Sequence, residues 1–177
     1  RQMCIRDRYL AEAVASVCGD DVELCAVCVA KGMEFLNAPY ETIQKVTEEL
    51  VRSDGERYCF SKSQEEVDTL LWEAQLKYVF PLVENYRRYF VKKYYDFIKA
   101  ALPINNGYGD QVMVPEEAEL GNLMYLVERG GIPVSAEESM ELKRYRKARN
   151  ELAHMNLLSN EELCVILKAG KHKTASD

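Results

Sequence analysis

Across residues 63–101 apolar side chains return every three or four positions: Val67, Leu70, Leu71, Ala74, Tyr78, Leu82, Tyr86, Phe90, Tyr94, Phe97 and Ala101. Such spacing can bury one continuous stripe only as an α-helix, because about 100° per residue stacks these positions on one face. A strand would scatter them over both faces. Ser63-Gln64-Glu65-Glu66 leads into the run as a capping box, with the Ser63 hydroxyl accepting from an early backbone N–H and Glu66 reaching back. Pro81 interrupts the pattern; it lacks a donor N–H and crowds the carbonyl of Lys77, so a kink or a break is expected there. Pro103 and the run Asn105-Asn106-Gly107-Tyr108-Gly109-Asp110 close the element in a loop. The aromatic side chains of residues 78–97 keep the helical spacing, which assigns them to a packing surface rather than to a base-stacking platform.

The same period organises the rest of the chain. In residues 9–51 three helices are expected, carried by Leu10, Val14 and Val17, then by Val22, Cys25, Val29, Met33 and Leu36, then by Ile43, Val46, Leu50 and Val51. Gly19-Asp20-Asp21 and Asn37-Ala38-Pro39 separate them. Asp54-Gly55 marks a turn, and residues 57–60 read as a short extended connector. Pro115-Glu116-Glu117 opens a helix bearing Leu120, Leu123, Met124 and Val127, which Gly130-Gly131 ends. Ser135-Ala136-Glu137-Glu138 and Ser159-Asn160-Glu161-Glu162 are two more capping boxes, the second leading into Leu163, Val165, Ile166 and Leu167. There is no internal repeat and no alternation long enough for a sheet. The expectation is an all-α fold: a helical bundle over residues 61–168, an additional N-terminal helical segment over residues 9–60 that reads as the tail of an upstream domain, and a frayed tail over residues 169–177. Residues 1–8 carry no period, and Met3-Cys4-Ile5-Arg6-Asp7-Arg8 looks like a translated sequencing adapter. They are set aside as an artefact, with the natural protein expected to extend upstream of Tyr9.

Bulk properties narrow the function classes. A hydrophobic share of 47% with 29% charged residues supports a buried core and argues against disorder. A net charge of −6 argues against non-specific coating of nucleic acid, so any phosphate contact must be local. No apolar run approaches the roughly 20 residues that span a bilayer, and no signal peptide is visible, so a cytoplasmic protein is expected. The six cysteines are scattered irregularly in a chain too apolar to be a disulfide scaffold, and no bridges are expected. Cys25-Ala26-Val27-Cys28 has C-x-x-C spacing but lacks a second ligand pair, with His154 and His172 far off. No metal and no cofactor are expected, and no phosphate-binding glycine loop or serine-nucleophile motif is present.

One constellation stands apart: Arg149-Asn150-Glu151-Leu152-Ala153-His154, near the end of the helix that Ser135 opens. With Arg149 as origin, Leu142, Tyr145, Leu152 and Ala153 fall within about 60°, which places Arg149 in the middle of the apolar face. Asn150 and His154, four residues apart, lie on one flank of that face with Arg149 beside them, so one side of the helix end is expected to present a cation, an amide and an imidazole together. A histidine titrating near neutrality can take a proton from a 2′-hydroxyl or give one to a leaving oxygen, and an arginine can bind phosphate bidentately; no metal is needed for that route. Lys143, Arg144, Arg146 and Lys147 surround the motif as a candidate RNA track. The plainer alternative pairs Arg149 with Glu84 or Glu119 and leaves His154 as the end of a helix, where the dipole favours a cation.

An arginine and a histidine separated by four to six residues, with Asn after the Arg and placed late in a helical bundle, resembles the signature of the HEPN superfamily, over residues 61–168. The resemblance implies a metal-independent endoribonuclease acting by 2′-hydroxyl attack, with Arg149, Asn150 and His154 as catalytic residues at a homodimer seam. It implies RNA as substrate, a toxin or phage-defence role, and an antitoxin or an upstream fused NTPase or sensor domain as partner. The alternative within the same resemblance is a non-catalytic module for dimerisation or for binding a nucleotide or partner.

Overall fold

The 63–101 stretch folds around one long helix, α5 (Gln64–Lys93). The computed structural model describes residues 5–105 and 111–173, with side chains placed for residues 6–105 and 111–168. The Ser63 capping box is formed in full, and Val67, Leu71, Ala74, Val79, Val83, Tyr86, Phe90 and Val91 enter the core. The break expected at Pro81 does not occur. Pro81 is exposed while Val79 and Val83 on either side of it are buried, so core packing carries the helix past the missing donor. The interruption falls at Tyr94, where φ −112° and ψ 25° separate α5 from α6 (Tyr95–Ala100).

Among the described residues four helices, not three, precede α5: α1 (Ile5–Cys18), α2 (Val22–Lys31), α3 (Met33–Asn37) and α4 (Pro39–Glu49). Gly32, at φ 55°, divides the second expected helix into α2 and α3. α1 starts at Ile5, so residues 5–8 of the segment set aside as an artefact are helical, while Cys4 lies outside the described residues. Asp21 caps α2 by accepting from the Leu24 N–H at 3.0 Å. α1 packs along α5 and α9, with Tyr9 edge-on to Tyr78 at 6.1 Å between ring centres. Residues 9–60 therefore share one hydrophobic core with residues 61–168.

After α6 the chain makes a two-residue antiparallel pair, β1 (Ile104–Asn105) with β2 (Gln111–Val112), in the register Ile104 to Val112. This pairing flanks the expected loop, whose residues 106–110 lie outside the described residues. Pro115–Glu117 is a separate 3-10 turn and not the start of the next helix. α7 (Leu120–Glu128) begins after it, capped by Glu119 and Asn122. Then come α8 (Ala136–Ala153) and α9 (Asn160–Lys173), the latter helical through residues read as frayed tail; residues 174–177 lie outside the described residues. The fold is all-α, with α5 packed on α1, α8 and α9, and α7 laid against α8. Among the described residues no helix is long and apolar enough to cross a membrane.

Candidate functional site

α8 carries every residue of the motif except His154, which forms its C-cap. The helix is tied to α5 at three levels. At its start Ser135 and Glu138 close the expected capping box, and Glu138 also accepts from Lys93 Nζ at 2.5 Å and from the Tyr94 hydroxyl at 2.8 Å. The Lys93 ammonium is the main reason the Glu138 carboxyl is held down to about 2. Halfway along, the buried rings of Tyr145 and Tyr86 stack 4.0 Å apart and 8° from parallel. Burial pushes the Tyr145 phenol up to about 12. At the far end the Trp72 indole N–H donates to the Leu152 carbonyl at 2.8 Å. These contacts run α8 antiparallel to α5.

Past Leu152 the chain turns sharply. Met155 takes φ 61°, the Asn156 N–H donates to the Glu151 carbonyl at 2.9 Å and the Met155 N–H to the Leu152 carbonyl at 3.2 Å. This is a Schellman turn with methionine where glycine is usual. Buried Gln75 then holds Leu158 from both sides, donating to its carbonyl at 3.1 Å and accepting from its N–H at 2.8 Å. Helix α9 restarts through the expected Ser159 and Glu162 box.

The buried residues of α8 are Leu142, Tyr145, Ala148 and Leu152. Arg149 is exposed, and its expected position at the centre of the apolar face is corrected to the rim. The centre of the buried set lies toward Ala148, and Ala153 on the other side of Arg149 is exposed. Arg149 lines a small cleft of about 160 Å3 with Phe80, Val83, Glu84, Arg87, Glu119 and Leu120. Glu84 is engaged there by Arg87 at 2.7 Å and Arg88 at 3.0 Å, and the Arg87 contact draws its carboxyl below the ordinary range. Glu119 caps α7. Arg149 forms an ion pair with neither acid, and among the described residues it has no ion-pair partner.

Asn150 and His154 are both exposed, on the stripe that continues from Lys143 through Lys147. Successive steps of four, three and four residues keep these positions on one side of a helix. Arg149 is not among them: five residues of helix turn it about 140° away from His154. One chain thus groups the amide and the imidazole but does not bring the guanidinium to them. Lys147 pairs with Glu162 at 2.5 Å, whereas Lys143, Arg144 and Arg146 are exposed and form no ion pair among the described residues. On α5 the basic residues Arg87 and Arg88 are taken by Glu84, and Lys93 by Glu138.

Cys18, Cys25, Cys28, Cys59 and Cys164 are free thiols. Among the described residues no group of three or more His, Cys, Asp or Glu is arranged to hold a metal ion. Trp72 and Gln75, which fix the turn beside His154, escaped the sequence reading because their spacing matches an ordinary core stripe. No family model matches the chain, and neither a curated protein nor a solved structure matches it.

Proposed function

We propose that this chain is a metal-independent endoribonuclease whose site is completed by a second copy, with His154 of one chain facing Arg149 of the other. One observation carries the reading: an exposed stripe of Lys143, Lys147, Asn150 and His154 leads to the end of α8, while the exposed Arg149, paired with no acid among the described residues, points elsewhere. A two-fold pairing of α8 ends supplies from outside what one helix cannot converge by itself. In the reaction the imidazole of His154 takes the proton of a 2′-hydroxyl, whose oxygen attacks the adjacent phosphorus. The bond to the 5′ oxygen breaks, that oxygen takes a proton from water, and a 2′,3′-cyclic phosphate remains. Arg149 binds the non-bridging oxygens as charge builds on them, and Asn150 orients the phosphate beside His154. Lys143, Arg144 and Arg146 draw the RNA backbone along α8.

The test is cleavage of RNA in EDTA by the wild-type chain and by Arg149→Ala and His154→Ala. Each variant is expected to lose at least about a hundredfold in rate. Mixing the two inactive variants is expected to restore about a quarter of wild-type activity, because half of randomly formed dimers then hold one intact cross-chain site. Cleavage that survives both substitutions, or that requires a divalent cation, excludes the mechanism. A stable dimer that cuts no RNA supports the non-catalytic module instead.

A further inference from the structure

Immediately beyond His154 the turn forms one wall of an open groove of about 720 Å3, whose other wall is the first two turns of α5. Gln64, Glu65, Asp68 and Trp72 face it from α5 and Asn156 from the turn. The helix dipole accounts for acids in the first turn of α5, where Glu65 sits. It does not account for Asp68, which is half-buried one turn further on, with Glu41 near enough to raise its carboxyl in addition to the larger effect of burial. Among the described residues Asp68 has neither a hydrogen-bond donor nor a cation. Beside it the half-buried Trp72 ring is locked in orientation by its hydrogen bond to Leu152.

We infer that this groove is a nucleobase subsite selective for guanine. A carboxylate with no donor excludes phosphate and favours a ligand that offers N–H groups. Guanine is the neutral base whose Watson–Crick edge presents two adjacent donors, N1–H and the N2 amino group, and one carboxylate accepts both. Asp68 takes that edge, the Trp72 face stacks on the base, and the exposed Gln64 amide is the donor on the α5 wall for its O6, while the Asn156 amide donates to Glu151 at 2.9 Å and so shapes the opposite wall. The meaning of the subsite, placing a guanosine next to the scissile phosphate, rests on the nuclease reading. Its existence does not.

Trp72 is the single tryptophan of the chain, so intrinsic fluorescence reports on the groove directly. The full chain is titrated with guanosine, adenosine, cytidine and uridine. Guanosine is expected to change the emission saturably and at least tenfold more tightly than the other three. Asp68→Asn, with an unchanged circular dichroism spectrum, is expected to weaken guanosine at least tenfold; in RNA cleavage it should abolish preference for guanosine without abolishing scission. Four equal responses, no saturable response, or a response to spermidine or N-acetylargininamide but not to guanosine overturns the subsite. Guanosine binding without RNA cleavage removes the nuclease reading and leaves the subsite; cleavage without base discrimination does the reverse.

Discussion

Met155 sits at φ 61°, a conformation in which a Cβ crowds the neighbouring backbone, and its side chain is 66% exposed, so little packing compensates. Met155→Gly should therefore raise stability by about 0.5–1 kcal/mol, the relief of a left-handed L-residue less the entropy glycine adds to the unfolded chain. A urea midpoint that stays level or falls would show that the turn is not strained. Arg149 carries the second lesson at this scale. Exchanging Ala153 for Ala148 in the apolar set shifts the centre of the face by about 35°, roughly a third of one residue's rotation, which separates a rim arginine from a central one. Alanine is small enough to sit on either side of a helix, so periodicity alone does not orient a face that contains it. The shared exposed stripe of Asn150 and His154 was legible because both are polar and four residues apart on one helix.

The capping boxes at Ser63, Ser135 and Ser159 were readable because each is complete within four residues. The contacts that orient the turn after α8 were not, since Trp72 reaches Leu152 across 80 positions and Gln75 reaches Leu158 across 83. Such pairs are set by the packing of one helix on another and leave no local trace. Gln75→Ala should destabilise the protein by about 2–3 kcal/mol, because it strips partners from both the N–H and the carbonyl of buried Leu158. Trp72→Phe, which removes a single donor, should cost about 1–2 kcal/mol. Chemical denaturation of the two variants side by side checks the order. A reversed order would mean that the Gln75 clamp contributes little to holding the turn.

For the molecule as a whole the helical class followed from the period of its apolar residues, whereas the merging of residues 9–60 into the main core depended on α1 packing against α5, which no spacing announces. Its electrostatics give a pH signature. Arg87 lowers Glu84, Lys93 lowers Glu138 and Lys147 lowers Glu162, and a carboxyl lowered by folding stabilises the native state above its ordinary value of 4.5 and ceases to do so as pH falls through the folded value, about 2 for Glu138. The urea midpoint should hold near neutrality and decline between pH 4.5 and 2, with Glu138→Gln lower at pH 7 and shallower in its decline. Asp68 works in the opposite direction: its raised carboxyl opposes folding once ionised, so Asp68→Asn should raise the midpoint at pH 7. An unchanged acid limb in Glu138→Gln would remove the Lys93 contact from this account. The three ties of α8 to α5 have a mechanical side as well. A slide of one turn, about 5.4 Å, would break a charged pair, a ring stack and an indole hydrogen bond in the same movement. α8 is therefore no piston: its outer face, with Lys143, Asn150 and His154, keeps one fixed position relative to α5.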